Sequence, residues 1–81
     1  MLQEVMQDLR NLAADEGNPA QKLAAELAEI RREYAAGDLS AEDYQYLLNE
    51  IIDVRAQADL AQDEVACRWV IFAAQTLLSA V

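Results

Sequence analysis

The sequence predicts one all-α domain of three to four helices over residues 1–81, and three observations lead to this prediction. Apolar residues recur at steps of three and four along most of the chain, which is the spacing of one helix face. The two glycines and the single proline lie in two short segments, at 17–19 and at 37. The run WVIF contains residues that favour strands, but its flanks are helical, so no strand is predicted.

The first helix is predicted over residues 1–16. Its narrow apolar face consists of Leu2, Val5, Met6, Leu9 and Leu12. Gly17 suits the left-handed position just past a helix end. Asn18 is expected to be the N-cap of the next helix, with Pro19 at the first helical position, where its missing N–H has no cost. The second helix is therefore predicted over residues 19–36.

The stretch from Gly37 to Ser40 predicts that the second helix stops and that a third helix, 41–58, begins after a tight turn. Ser40 is expected to be the N-cap of this third helix. Glu42 and Asp43 follow in its first turn, where carboxylates meet the positive end of the helix dipole. Because the second and third helices have similar lengths and a three-residue connection, we expect an antiparallel hairpin at the centre of the chain.

The last segment, 60–80, is predicted to be a helix that is apolar nearly all round. Only three polar side chains follow Arg68. A break before this helix is expected near Asp59, which together with Gln62 has the spacing of a helix cap. The alternative is a single rod continuous with the third helix, since no glycine or proline follows Gly37.

This apolar last helix indicates self-association, because two or three short helices cannot enclose it completely. Small domains usually need a disulfide, a metal or a partner subunit to supplement their core. Cys67 is the only cysteine and there is no histidine, so we expect oligomerisation instead. The residues predicted to form the interface are Trp69, Ile71, Phe72, Leu78, Leu47, Ile51 and Tyr46. Trp69 ranks first because large aromatic side chains dominate interface energetics.

Membrane insertion is a weaker alternative for the last helix. A spanning helix needs about 20 apolar residues, and extending the segment back to Val65 crosses Arg68 and gives only 17. The N-terminus lacks the basic start of a secretory signal, and a lone cysteine fits a reducing compartment. A cytoplasmic location is therefore predicted.

The net charge of −9 disfavours direct binding to nucleic acid. No catalytic, cofactor-binding or metal-binding residues are predicted. Histidine, the commonest general base, is absent, and neighbouring carboxylates on a helix point about 100° apart, so they do not converge. We therefore expect a non-catalytic association module in an assembly or adaptor role. The alternative is an acidic inhibitor that binds a basic surface of another protein, such as a nucleic-acid-binding surface.

A pattern of residues in the central hairpin carries a family resemblance. A helix ends at a glycine, a Leu-Ser pair restarts the chain, and an acidic-aromatic pair opens the next helix. These features fall at Leu27, Tyr34, Gly37, Leu39, Ser40, Asp43, Tyr44, Leu47 and Ile51. The segment 27–52, about a third of the chain, thus resembles the short bacterial oligomerisation hairpins of the SHOCT type, which implies association. The small, acidic and helical character of the chain is also similar to phage-encoded accessory proteins, which are virion assembly parts or inhibitors of host enzymes.

Overall fold

A computed structural model describes residues 1–80, so Val81, the last residue of the predicted domain, lies outside the described part. The predicted all-α class is confirmed, and no strand occurs among the described residues. The helices are α1 (Leu2–Ala13), α2 (Gln21–Ala35), α3 (Ala41–Glu50), a π-helical turn (Ile51–Arg55), α4 (Ala56–Asp59) and α5 (Glu64–Ser79). From α3 to α4 the chain stays helical, and we call residues 41–59 the rod.

Helix α1 ends three residues before the predicted boundary, and α2 begins two residues after it. The backbone N–H of Asp15 donates to the Leu12 carbonyl at 3.1 Å, a tight turn that ends α1. Asn18 then caps a turn that leads into α2, since its side-chain oxygen accepts from the Ala20 N–H at 2.8 Å. Gly17 has a φ of 88°, in the left-handed region where glycine has no steric penalty.

The turn between α2 and α3 follows the predicted capping chemistry. Gly37 has a φ of 84°. The N–H of Asp38 donates to the Glu33 carbonyl at 2.8 Å, and the N–H of Gly37 donates to the Tyr34 carbonyl at 3.1 Å. These two bonds form a Schellman motif, which satisfies carbonyls that have no partner inside α2. Ser40 caps α3, because its hydroxyl oxygen accepts from the Asp43 N–H at 3.0 Å.

The rod and α5 are separate helices, with the break later than the predicted position. Asp59 is the last residue of α4 and not an N-cap. The cap of α5 is Asp63, whose carboxylate accepts from the Ala66 N–H at 3.0 Å. Leu60 is buried in the core, and the chain turns around this anchored side chain before α5 begins. The burial of Leu60 explains why the turn falls after Asp59.

The helices enclose one apolar core with no buried polar or charged residue among those described. Its members are Val5, Leu9, Ala20, Leu23, Ala24, Leu27, Ile30, Tyr44, Leu48, Ile51, Ala56, Leu60, Val70, Ala73, Ala74 and Leu77. Helix α1 packs chiefly against α2, and α5 packs against α1, α2 and the rod. Two side-chain contacts join α2 to the rod: Tyr34 stacks on Tyr44 near the turn, and Glu26 pairs with Arg55 at the far end.

Candidate association surface on helix α5

The outward side of α5 carries a row of apolar side chains, Val65, Trp69 and Phe72, which we call the α5 stripe. Successive members are four and three residues apart, so they lie on one side of the helix. Val65 is 79% exposed and Phe72 is 43% exposed, whereas Trp69 is half-buried. Val65 and Phe72 therefore face away from the core, and Trp69 between them is partly packed against it.

The inward side of α5 is built mainly from smaller residues. Val70, Ala73, Ala74 and Leu77 are its buried members. Two small alanines, Ala73 and Ala74, lie at the centre of this face and let α5 lie close to its neighbours. The four buried residues of α5 lie on one face of the helix, and its other faces are only partly covered.

An open cavity lies beside the α5 stripe, between α5 and α1. Val65 and Trp69 form one wall, and Leu12 and Ala20 form the apolar part of the other. Its volume is about 320 Å³, and Asp8 stands at the edge. A cavity of this kind can accept one side chain of a partner next to Trp69, which is the usual setting of an interface anchor.

The seven predicted interface residues lie on different helices and differ in how exposed they are. Trp69 and Phe72 lie together on the α5 stripe, and Tyr46 is exposed on α3, a different helix. The remaining three partly buried members pack against the core: Ile71, Leu78 and Leu47. Ile51 is 1% exposed. Its prediction as an interface residue is therefore corrected, because its side chain is used inside the chain itself.

Sequence reasoning did not select Val65, although it is the most exposed large apolar residue of the described chain. The available signal was its spacing, four residues before Trp69 and seven before Phe72. These three positions share one side of a helix. The sequence argument treated the helix as apolar all round and did not separate its two faces.

The C-terminal end of α5 is held by side chains of α2 and α3. The Tyr44 hydroxyl donates to the Leu77 carbonyl at 2.7 Å. The Arg31 guanidinium donates to the Tyr44 hydroxyl oxygen at 3.1 Å and to the Ala80 carbonyl at 3.0 Å. The last carbonyls of a helix have no partner within it, and a cation is favourable at that end. Arg31 and Tyr44 thus act as a cap supplied from elsewhere in the chain.

Aromatic stacking completes this arrangement. The rings of Tyr34 and Tyr44 lie 4.1 Å apart at an angle of 16°. The Arg31 guanidinium carbon is 5.6 Å from the first ring centroid and 5.7 Å from the second, within cation–π range. Burial raises the pKa of the Tyr44 hydroxyl, and the hydrogen bond from Arg31 opposes this only in part. Tyr44 therefore stays protonated at neutral pH and keeps donating to α5.

Among residues 1–80 no group of three or more His, Cys, Asp or Glu side chains is placed to hold a metal ion. Cys67 is half-buried, and its thiol donates to the Ala56 carbonyl at 3.5 Å. No helix in this part of the chain has both the length and the apolar character needed to cross a membrane.

Comparisons of the chain with protein-family models, with curated proteins and with solved structures found no match.

Proposed function

We propose that this chain is a non-catalytic protein–protein association module that pairs with itself through the α5 stripe and works in an assembly or adaptor role. The observation that carries the proposal is the orientation of α5. Its small alanines face the core, while Val65 and Phe72 are exposed on either side of the partly buried Trp69. Exposed apolar groups that form a contiguous row are typical of an interaction site.

The free energy expected from burying the α5 stripe is suited to an interface of moderate strength. Burying a large apolar side chain contributes about 1.5–3 kcal/mol. The lower value applies here because Trp69 and Phe72 are already partly covered, so a two-fold pairing of stripes contributes about 9 kcal/mol. Association itself costs about 4–15 kcal/mol in lost freedom. Contacts in the cavity beside Trp69 are therefore expected to determine the final affinity.

The central part of the chain supports the same proposal. Residues 27–52 resemble oligomerisation hairpins, and two contacts that join α2 to the rod, the Tyr34–Tyr44 stack and the Glu26–Arg55 pair, support an antiparallel hairpin. This hairpin forms a platform on which α5 is fixed by Arg31. A reducing cytoplasm suits the free thiol of Cys67.

The direct test measures solution mass by light scattering at high salt, with Val65→Asp compared with Val54→Asp. Both valines are exposed, but Val54 lies on the rod, away from the α5 stripe. We expect the unmodified chain and Val54→Asp to be oligomeric, because apolar association survives salt. Val65→Asp is expected to be monomeric with an unchanged circular dichroism spectrum. A folded, monomeric unmodified chain at high salt would reject the proposal.

A second candidate function, an acidic inhibitor, is favoured by the net charge of −9 and by the exposed carboxylates of the rod. It predicts a complex with a basic protein that weakens steeply as salt rises, since charges further apart than the Debye length, about 10 Å at 0.1 M, are screened. Light scattering at low and at high salt, with a basic protein added, distinguishes the two functions.

A further inference from the structure

A second open groove lies between α1 and α2, on a different pair of helices from the α5 stripe. Its volume is about 630 Å³. Alanines of both helices line it, among them Ala13, Ala28 and Ala35, together with Met6. Such small side chains leave room for a helix to approach the two backbones closely.

The groove is positively charged in a chain that is otherwise strongly acidic. Three of the six basic residues line it, Arg10, Arg31 and Arg32, and Glu29 is the only acid among the lining residues. Arg32 pairs with Glu29. The Arg10 guanidinium is exposed and donates to the Gln7 side-chain oxygen at 3.3 Å, so its charge is not neutralised by that contact. Arg31 donates to the Tyr44 hydroxyl oxygen and to the Ala80 carbonyl, neither of which is a carboxylate. The groove thus combines an apolar floor with guanidinium groups, Arg10 foremost, that can donate hydrogen bonds to carboxylates.

The outward side of the rod has the opposite character. Glu42, Tyr46, Glu50, Asp53 and Val54 recur at helical spacing along it, and Tyr46 and Val54 are among the exposed large apolar residues. No basic side chain accompanies them, because the one base of the rod turns inward to pair with α2. We call these five residues the acidic face.

The groove and the acidic face have comparable lengths. The lining residues of the groove run from Met6 to Ala14 and from Ala25 to Ala35, which corresponds to about 12 Å and about 15 Å at 1.5 Å per residue. The acidic face runs from Glu42 to Val54, about 18 Å. The groove belongs to α1 and α2, whereas the acidic face belongs to the outward side of α3 and the π-helical turn, so one copy presents them on separate surfaces.

From this complementarity we infer that the α1–α2 groove of one copy binds the acidic face of a second copy, in a head-to-tail contact independent of the α5 stripe. Tyr46 and Val54 enter the alanine-lined floor, and the carboxylates of the acidic face meet the guanidinium groups of the groove. A contact between two different surfaces leaves one groove and one acidic face free in each dimer, so it continues into rings or filaments. Because it depends on charge, it weakens with salt, in contrast to association through α5.

The test uses full-length chains that all carry Val65→Asp, so that the α5 stripe does not contribute, and measures mass by sedimentation at low and high salt. We expect this background to associate at low salt and to be monomeric at high salt. Adding Arg10→Glu, which reverses a charge in the groove, or Asp53→Arg, which reverses one on the acidic face, is expected to weaken self-association by about tenfold or more. Circular dichroism checks that each chain is folded.

Mixing the two variants gives the decisive result. The Arg10→Glu chain keeps its acidic face and the Asp53→Arg chain keeps its groove, so the mixture is expected to associate although neither chain does so alone. The control is Glu16→Arg, which makes the same change in charge as Asp53→Arg at an exposed loop position and is expected to leave association intact. A background that is monomeric at low salt, or a mixture that stays monomeric, would overturn the inference. Neither result bears on the α5 stripe, which is tested at high salt.

Discussion

The Tyr44 hydroxyl on α3 donates a 2.7 Å hydrogen bond to the Leu77 carbonyl on α5, across 33 residues of sequence. Tyr44 is fully buried, and its oxygen also accepts from Arg31. This bond joins the middle of the chain to the far end of the helix that carries the α5 stripe. The position of the proposed association surface therefore depends on a buried polar contact as well as on apolar packing.

Replacing Tyr44 by phenylalanine tests this dependence. The change keeps the ring and its stack on Tyr34 but leaves the Leu77 carbonyl without the hydroxyl donor. The Leu77 carbonyl keeps the hydrogen bond from the Ala80 N–H at 3.1 Å, so the change removes one hydrogen bond, which contributes about 0.5–1.5 kcal/mol. For a domain of this size, each kcal/mol lost from the free energy of unfolding lowers the melting temperature by about 4–8 °C. We expect Tyr44→Phe to lower the free energy of unfolding by an amount in this range, measured by urea denaturation.

The matched control for this change is Tyr46→Phe. Tyr46 is also on α3, but it is exposed, and its hydroxyl lies 3.5 Å from the Glu50 carboxylate. Surface substitutions of this kind usually change stability by less than about 0.5 kcal/mol. Equal losses for the two variants would contradict a special role for the Tyr44 hydroxyl.

The same hydroxyl predicts a pH dependence. Burial raises the pKa of Tyr44 in the folded chain above its ordinary value, which is about 10 in the unfolded chain. Between these two pKa values the folded state binds more protons than the unfolded state, so the free energy of unfolding decreases as pH rises. The contribution of Tyr44 is complete below pH about 10 and is lost as pH rises through the folded pKa.

Urea denaturation in an alkaline pH series measures this contribution as the difference between the unmodified chain and Tyr44→Phe. Other groups titrate in the same range, and taking the difference removes their common effect. We expect the stability advantage of the unmodified chain to shrink above the ordinary tyrosine pKa. An advantage that stays constant through that range would show that the Tyr44 proton is not linked to folding.

Local chemistry explains which parts of the fold could be predicted from the sequence. The stop at Gly37 and the cap at Ser40 depend on residues within five positions of one another, and both occur as expected. The cap of α5 was assigned to Asp59 because its local spacing is acceptable. Asp63 has Ala66 and not a Glu or Gln three residues later, so it lacks that signal and has only the general preference of Asp for N-caps. Its use as the cap accompanies the burial of Leu60, which is a tertiary property.

The same reasoning explains the mixed outcome for the candidate site. Periodicity shows that Ile51 and Phe72 are apolar members of helical stripes, but it does not show which stripe another helix covers. In the structure Ile51 is buried by packing within the chain, and Phe72 is left outside. The Arg31–Ala80 contact joins positions 49 residues apart, and no local pattern in the sequence marks such a pair.

The Glu26–Arg55 ion pair provides the last prediction, which concerns the packing of α2 against the rod. The pair is half-buried and bidentate, with one of its two bonds, from Nη2 to Oε1, at 2.8 Å. The hydrogen bond that Arg55 donates to Glu26 raises the pKa of Arg55 above its already high value, so the guanidinium stays charged through the neutral range. Bidentate geometry makes such pairs stronger than single contacts.

A double-mutant cycle of Glu26→Gln and Arg55→Gln is expected to give a coupling energy of about 0.5–1 kcal/mol. The same cycle on the exposed Glu64–Arg68 pair of α5 is expected to give about 0.3–0.5 kcal/mol or less, since exposed pairs four residues apart on a helix are solvated and screened. Urea denaturation measures both cycles. The larger coupling should belong to Glu26–Arg55, because that pair joins two helices and fixes their relative position. A larger coupling on α5 would mean that apolar packing alone holds α2 against the rod.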